Sequence, residues 1–478
     1  MRTICCLSLL LAGCGPKATV PAAATAPAPA EALSTLPEIG SPPDWTPPAA
    51  ESLPLETGAE AWRVSRDDLP LVSVRLWIPG GTLSGPAEHP GLVRLTDTML
   101  MHGAGDRDAA AFAAHAEQLA IDLSTSSWEH GTVVSVDCHA DRLDDGLALM
   151  ADAVLRPRFA HADVERERDL QMAEIQRSLD NPRTVASRVG YAEWYGEGHP
   201  SAVPGAGTLA GLKGVTEKTV RADWVRRSSP DGARFIVTGA VNMGTLEAQL
   251  AQHFGGWTGP EARKIDVPPA RGVTDGPRHL FVDAPGSSQS VLRVILPGHR
   301  TGAEAEVATR LGAIVLGGTF TSRLNRLLRE EKGYTYGARS SHVSGPDDGL
   351  LIASTNVRGD VTGAALKDLL GELALASAGV DAAERSKAVG AARTSAVEGA
   401  GTRSSLASGL LSATADGLGP DALQRDLSAV TRTTEAEIDA ALAGISLSNA
   451  LVIVVGDLSV IREEVEAAVP ATWQVIAP

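Results

Sequence analysis

The stretches VSVRLWIPG (residues 72–80) and SVLRVILPG (residues 290–298) decide the fold. Each is an alternating or apolar run that ends in Pro-Gly and leads into a helical stretch, the pattern of a strand stopped by a turn. A second pair lies near the ends of the two halves. ARFIVTGAVNMGTLEAQLAQHFGGW (233–257) reads as a strand, a glycine turn and an amphipathic helix, and ALVIVVGDLSVIREEVEA (450–467) repeats the plan. Two pairs in the same order, about 220 residues apart, imply a duplicated domain. The segment TGPEARKIDVPPARGVTDGPRH (258–279) has Pro, Gly and charge without periodicity and reads as the linker between halves. Hairpin-length connections such as WEHGT favour antiparallel pairing. The expected class is therefore α+β, with two duplicated domains, each a mainly antiparallel sheet with helices packed on it. Helices are expected from about Arg142 to Ala153, from Ala162 to Leu179 with a stop at Asn181-Pro182, and from Glu304 onward.

The whole chain sets bounds. Its 478 residues suit two large domains or three small ones. Hydrophobic content of 44% with 21% charged residues is ordinary for a soluble globular protein. A formal net charge of -16 argues against a nucleic-acid surface and leaves basic or neutral peptide partners open. At the N-terminus, Arg2 precedes a short apolar run, Cys5 to Ala12, that is too short to span a bilayer. The run ends in Leu11-Ala12-Gly13-Cys14, which resembles a bacterial lipoprotein signal with Cys14 as the lipidated first mature residue; an ordinary cleaved signal peptide is the alternative. Gly15 replaces an Asp that would favour retention in the inner membrane. The expected location is thus the cell envelope, on the outer membrane facing the periplasm where the source has two membranes. Residues 15–54 are rich in Pro and Ala and read as an extended tether, followed by an N-terminal domain (55–257), the linker (258–279) and a C-terminal domain (280–475). With the signal removed and Cys14 acylated, Cys138 stands alone, so no intrachain disulfide is expected. In the alternating SVDCHAD it reads as a buried small hydrophobe.

The chemistry centres on GLVRLTDTML (91–100). The order is strand, Pro-Gly-Gly, loop, Pro90-Gly91-Leu92, helix, Met99-Leu100 and Gly103. This order resembles the pitrilysin/insulinase-type metallopeptidases, the inverzincins, whose helix carries His-x-x-Glu-His. In that family the two His bind zinc from one helical face and the Glu polarises the attacking water. The resemblance puts the first His at Arg94, the Glu at Asp97 and the second His at Thr98. The family's third ligand, a Glu about 76 residues on, falls on Glu174 in ERDLQMAEIQRSLDNP, with Glu167 two turns earlier on the same face. In the second half, LGGTFTSRLNRLLREEKGYTYG (316–337) keeps the family's Arg and Tyr at Arg329 and Tyr336. In active relatives these reach across the chamber, hold the substrate backbone and stabilise the oxyanion. DAPGSSQSVLRV (283–294) matches the domain's opening strand, and the resemblance runs from about 55 to 475.

The frame survives and the ligands do not. One carboxylate plus Asp97 does not make an ordinary zinc site, which takes three protein ligands. None of the 11 His residues forms a His-x-x-x-His pair. His102 reads as a surface or outer residue, and His199, in YGEGHPSAVPGAGT (195–208), as a structural turn residue. Arg94 carries fixed positive charge where a ligand would sit, so an Arg94–Glu174 or Arg94–Asp97 salt bridge is expected, with a drifted, solvated face as the plain alternative. No metal or cofactor is expected in this chain. Neither a phosphate-binding loop, an EF-hand nor a Gly-x-Ser-x-Gly elbow is present. Three functions compete. The first is a zinc-lacking subunit that supplies Arg329 and Tyr336 in trans to a zinc-bearing homologous partner acting on peptide or unfolded protein. The second is a non-catalytic peptide-binding or scaffold lipoprotein. The third is an autonomous peptidase with an atypical metal site.

Overall fold

The computed structural model describes residues 44–261, 265–273, 278–376 and 378–477. The stretch read as a lipoprotein signal, Cys14 and most of the stretch read as a tether lie outside the described residues. Thr46–Pro478 forms one compact unit.

Two six-stranded sheets are built to one plan. The first contains β1 (Glu51–Pro54), β2 (Glu60–Ser65), β3 (Leu71–Pro79), β4 (Asp122–Ser127), β5 (Gly131–His139) and β6 (Arg234–Gly239), in the order β1-β2-β6-β3-β5-β4. The second contains β7 (Arg278–Asp283), β8 (Gln289–Pro297), β9 (Ala338–Ser344), β10 (Gly349–Arg358), β11 (Leu451–Gly456) and β12 (Trp473–Ile476), in the order β12-β7-β11-β8-β10-β9. The two Pro-Gly strands are β3 and β8, the centre of each sheet. The second sequence pair supplies β6 and β11, which flank them. Most pairings are antiparallel, but β2 lies parallel to β6 and β7 parallel to β11. The fold is α+β, with each half as its repeat foretells. Only the outermost strand breaks the symmetry: β1 runs antiparallel to β2, whereas β12 runs parallel to β7.

Boundaries shift by a few residues where backbone pairing extends an element. β1 starts at Glu51, inside the stretch read as tether, because its backbone pairs with β2. β7 opens at Arg278, inside the stretch read as linker, because it pairs with β11. The helices begin and end at Leu143–Leu155, His161–Ser178 and Glu306–Ala313. Asn181-Pro182 ends one helix and also starts the next. The Asn181 side chain accepts a hydrogen bond from the Arg183 N–H, and Pro182 sits in the first turn of Pro182–Tyr195, where its missing N–H costs nothing.

This last helix determines how the halves combine. One face of each sheet carries its own half's helices. On β8, Leu292, Val294 and Leu296 enter the core of the C-terminal half. The alternate residues Val291 and Ile295 face the other way, as the two-residue period of a strand requires, and meet Val185, Ala186 and Val189 of the N-terminal half's helix Pro182–Tyr195. The reverse holds on the first sheet. Trp62, Val64, Trp77 and Ile236 pack against Leu406, Ala407, Leu410 and Leu411 of Arg403–Ala415, a helix of the C-terminal half. Both helices carry the same apolar stripe, at i, i+1, i+4 and i+5. Each half thus covers the open face of the other's sheet, and at about 1.5–3 kcal/mol per fully buried large apolar side chain neither face is stable uncovered. Two sequence repeats therefore fold as one unit.

The helix Pro182–Tyr195 lies so close to the sheet that a Cβ at Gly190 would come within 2.8 Å of Ile295 Cδ1 and 3.0 Å of Ile453 Cδ1. The substitution Gly190→Val is expected to destabilise the protein by about 1–3 kcal/mol. Urea unfolding followed by tryptophan fluorescence measures this, and it should remain a single transition.

Candidate functional site

The motif helix Leu92–Met99 starts at Gly91, whose φ of 102° suits glycine, and a Cβ there would lie 2.6 Å from the Ala206 carbonyl oxygen. Gln171 of His161–Ser178 donates to both the Gly91 and Ala206 carbonyls, at 3.0 and 2.8 Å, and so fixes the two helices of the degenerate site to each other. Leu92, Val93, Leu95 and Met99 are buried in the N-terminal core. Arg94 and Thr98, one turn apart, face outward toward His161–Ser178.

Arg94, which the family motif aligns with a zinc ligand, binds Glu174, which the motif aligns with another. Its Nη2 donates to both oxygens of Glu174, at 3.0 and 2.8 Å. Of the two carboxylates that the sequence offers Arg94, the structure chooses Glu174. Thr98 Oγ1 turns back to donate to the Arg94 carbonyl at 2.9 Å. Glu167 is nearly buried, 3.2 Å from Arg166 Nε and 3.6 Å from His102 Nε2, so His102 lies closer to the site than its place past the helix end suggests.

Asp97 does not face this group at all, so the Arg94–Asp97 bridge that the sequence left open does not form. Its shorter side chain turns into the core. There Arg227 Nη2 donates to it at 2.7 Å, Ser127 Oγ at 2.6 Å and Thr132 Oγ1 at 2.9 Å. Arg227 also donates to Asp223 at 2.9 Å, to Thr132 at 2.7 Å and to the Gly80 carbonyl at 3.0 Å. Burial alone would lower the Arg227 pKa, but Asp97 and Asp223 outweigh it and hold the guanidinium charged. Burial pushes the Asp97 carboxyl up, against the pull of Arg227 and the two hydroxyls. With every donor aimed at it, the geometry is that of an ionised carboxylate. Sequence reasoning missed Arg227, which lies 130 residues from Asp97 on a separate helix, Glu217–Arg227. No local signal connects them.

The donor set therefore does not fit zinc. Glu174 is held by Arg94, Glu167 by Arg166 and His102, and Asp97 by Arg227. Among the described residues no group of three His, Cys, Asp or Glu side chains converges as metal ligands. Cys138 is buried on β5, and burial together with Asp137 pushes its thiol up to about 12, so it remains a protonated core residue. His199 is buried and has both ring nitrogens engaged, with the Pro268 carbonyl at 2.7 Å and the Ser201 N–H at 3.0 Å, as a structural turn residue should be.

The C-terminal half presents a different face. After the five-residue π-turn Ile314–Gly318, a loop leads through Phe320 to a second π-turn, Arg326–Glu331. Gly317 is required, since a Cβ would sit 2.2 Å from the Ser340 nitrogen of β9. Asn325 holds the following turn to β9 by accepting from the Ala338 N–H and donating to the Ala338 carbonyl, both at 2.9 Å. Arg329 lies 3.6 Å from the Phe320 ring centroid and 2.8 Å from Glu330. Tyr336 is 97% exposed. No hydrogen bond joins Arg329 to Tyr336. Tyr336 stands at the rim of a cleft of about 560 Å³ between the halves, lined from one side by Arg183 and Ser187 and from the other by the β8, β9 and β10 face.

The family is settled by sequence models. Residues 64–200 match the model described as insulinase (peptidase family M16), and residues 223–391 match the peptidase M16 inactive domain. The chain belongs to the insulinase family. An uncharacterized zinc protease of Mycobacterium leprae is 26% identical over 294 residues, 60% of this chain and 65% of that protein. One from Mycobacterium tuberculosis is 27% identical over 310 residues, 64% of this chain and 70% of that protein. The chain thus spans about two thirds of the length of these relatives. Among solved structures, the peptidase M16 inactive domain from Pseudomonas fluorescens superposes with a TM-score of 0.79 at 21% identity, covering 85% of this chain and 98% of that one. The first half of the periplasmic protease PqqL from Escherichia coli gives 0.70 at 16% identity, covering 90% and 100%. These likenesses establish the two-domain fold.

The two ion pairs of the degenerate site differ in burial, and this sets their energetic weight. Arg227→Ala leaves the buried Asp97 carboxylate without its cation and should cost about 3–5 kcal/mol; Asp97→Ala, after which Asp223 still pairs Arg227, should cost less. Arg94→Ala breaks a half-exposed pair and should cost about 1 kcal/mol or less. Thermal and urea unfolding of the three variants test this ranking; equal losses would contradict it.

Proposed function

We propose that this chain is the zinc-lacking subunit of an insulinase-like envelope metallopeptidase, which offers its peptide cleft, Arg329 and Tyr336 to a zinc-bearing homologous partner. One observation carries the reading. The N-terminal metal position is closed by Arg94 on Glu174, while the C-terminal half keeps an open cleft with a fully exposed tyrosine at its rim. Exposed tyrosines are enriched where a partner covers them. In such a complex Tyr336 would position substrate, and Arg329 would leave Phe320 and Glu330 to join it. The inactive-domain model and the Pseudomonas fluorescens neighbour accord with a non-catalytic member. Cys14 would anchor the subunit through lipid to the outer membrane on its periplasmic side.

A scaffold reading draws on a different observation. Arg329 already has a ring to stack on and a carboxylate beside it, so it serves packing as it stands. An autonomous peptidase would need three converging donors, and the separate pairing of Asp97, Glu167 and Glu174 argues against it.

Purification from native membranes with identification of co-purifying chains separates the first two. The subunit reading expects a stoichiometric partner with an intact His-x-x-Glu-His. Arg329→Ala and Tyr336→Phe should each abolish peptidase activity of the complex while assembly persists; full activity in both variants would end this reading. Metal analysis of the chain alone should find no stoichiometric zinc. The double substitution Arg94→His, Thr98→His frees Glu174 and places two imidazoles on one helical face beside it, and this variant should bind zinc.

A further inference from the structure

The duplication allows one half to serve as a reference for the other. In the first sheet a row of residues crosses three strands: Arg75 on β3, Ser135 on β5 and Ser124 on β4. The equivalent row in the second sheet is Arg293 on β8, Ser354 on β10 and Arg339 on β9. Arg75 is neutralised by Asp137, which accepts from its Nη2 at 2.8 Å, and Asp122 lies opposite Asp137 on β4. The residue that corresponds to Asp137 is Asn356, opposite Val291 just as Asp137 is opposite Ser73. Relative to the first sheet, the second lacks the carboxylate and carries a second arginine.

The consequence is visible at Arg293. Its guanidinium donates to Ser187 Oγ at 3.2 Å and lies 5.6 Å from the Tyr191 ring centroid, and its Nε is buried without a hydrogen-bond partner. Burial lowers its pKa from the usual arginine value. Arg183 enters the same cleft from the helix Pro182–Tyr195, and Arg339 from β9. None of the three has a carboxylate within ion-pair distance among the described residues. In a chain of net charge -16, three guanidiniums without a carboxylate partner, Arg293 partly buried and Arg183 and Arg339 exposed, share one cleft that no acidic residue lines.

We propose that this row is a recognition site for a carboxylate of a bound polypeptide, so that the cleft selects acidic peptides. Guanidinium forks match carboxylate geometry with paired hydrogen bonds. The cleft of about 560 Å³ exceeds what a lone small anion needs, and its lining runs across β8, β10 and β9, which suits a carboxylate presented on a polypeptide. The carboxylate comes from an Asp or Glu side chain or from a peptide C-terminus. The site rests on reading the cleft as peptide-binding, and it supplies the substrate preference that the proposed function leaves open.

The test uses the full chain without any partner and three fluorescein-labelled octapeptides at low salt. One contains two Glu and an amidated C-terminus, one has Gln in place of Glu with the amide, and one has Gln with a free C-terminus. Anisotropy titration should show the Glu peptide binding about tenfold or more tighter than its Gln amide; tighter binding of the free-carboxylate peptide instead assigns the site to a C-terminus. Asn356→Asp, which restores the counter-ion of the first sheet, and Arg339→Ser, which restores its neutral residue, should each reduce the preference to about threefold or less. Unchanged melting of both variants guards against loss of fold. Equal binding of all three peptides overturns the acidic preference while leaving a peptide cleft in place. A preference untouched by both substitutions overturns the assignment to this row. Absence of binding to any peptide overturns both the site and the cleft reading.

Discussion

Each sheet has an outer apolar face that only a helix of the other half covers. Everything else in the molecule is arranged around this exchange. It places Pro182–Tyr195 across β8 and β11, which sets one wall of the cleft, and it places Arg403–Ala415 across β3 and β6. Polar contacts fix the register of the exchange. Arg75 donates to Ser404 at 2.7 Å, Thr238 to the Arg403 carbonyl at 2.8 Å, and Arg293 to Ser187. The central arginine of each sheet thus reads the position of the foreign helix, and in the second sheet it is also left free to face the cleft.

The positions that the family motif assigns to metal ligands are held here by ordinary ion pairs. A zinc ion would bring two positive charges to a cluster of carboxylates; here arginines bring them singly. Arg94 serves Glu174 at the surface, and Arg227 serves Asp97 in the core. The second of these is the more consequential. Asp97 now joins the motif helix to β4, β5 and Glu217–Arg227 through Ser127, Thr132 and Arg227, so the former site has become part of what holds the N-terminal half together. The Asp97 carboxylate has a structural role.

Much of this was legible in the sequence because it follows from short-range pattern. The Pro-Gly strands and the antiparallel hairpins rest on spacing along one strand, and the repeat near 220 residues on the likeness of the two halves. Glu174 comes within reach of Arg94 only through the family motif, beside Asp97 as the alternative, since the two lie 80 residues apart on separate helices. What was not legible depends on which residues meet across long separations. Arg227 reaching Asp97, the exchange of helices and the absence of a carboxylate beside Arg293 have no local trace. The stripe of Val185, Ala186, Val189 and Gly190 announces a buried helix but not which sheet buries it. Arg329 and Tyr336 were placed by family motif, and the motif says nothing of the Phe320 ring on which Arg329 rests.

The exchange also changes what the linker is for. Covalent continuity through residues 258–277 is not what keeps the halves together, since each half supplies a wall that the other cannot replace. A cut in that segment would leave a noncovalent pair, and two separately made polypeptides divided there would each carry an exposed apolar sheet face and an unaccompanied apolar helix. Such fragments satisfy those surfaces by associating. The single chain can therefore be regarded as a fused dimer of unequal subunits, one with an ion-paired row across its sheet and the other with a row that carries net positive charge.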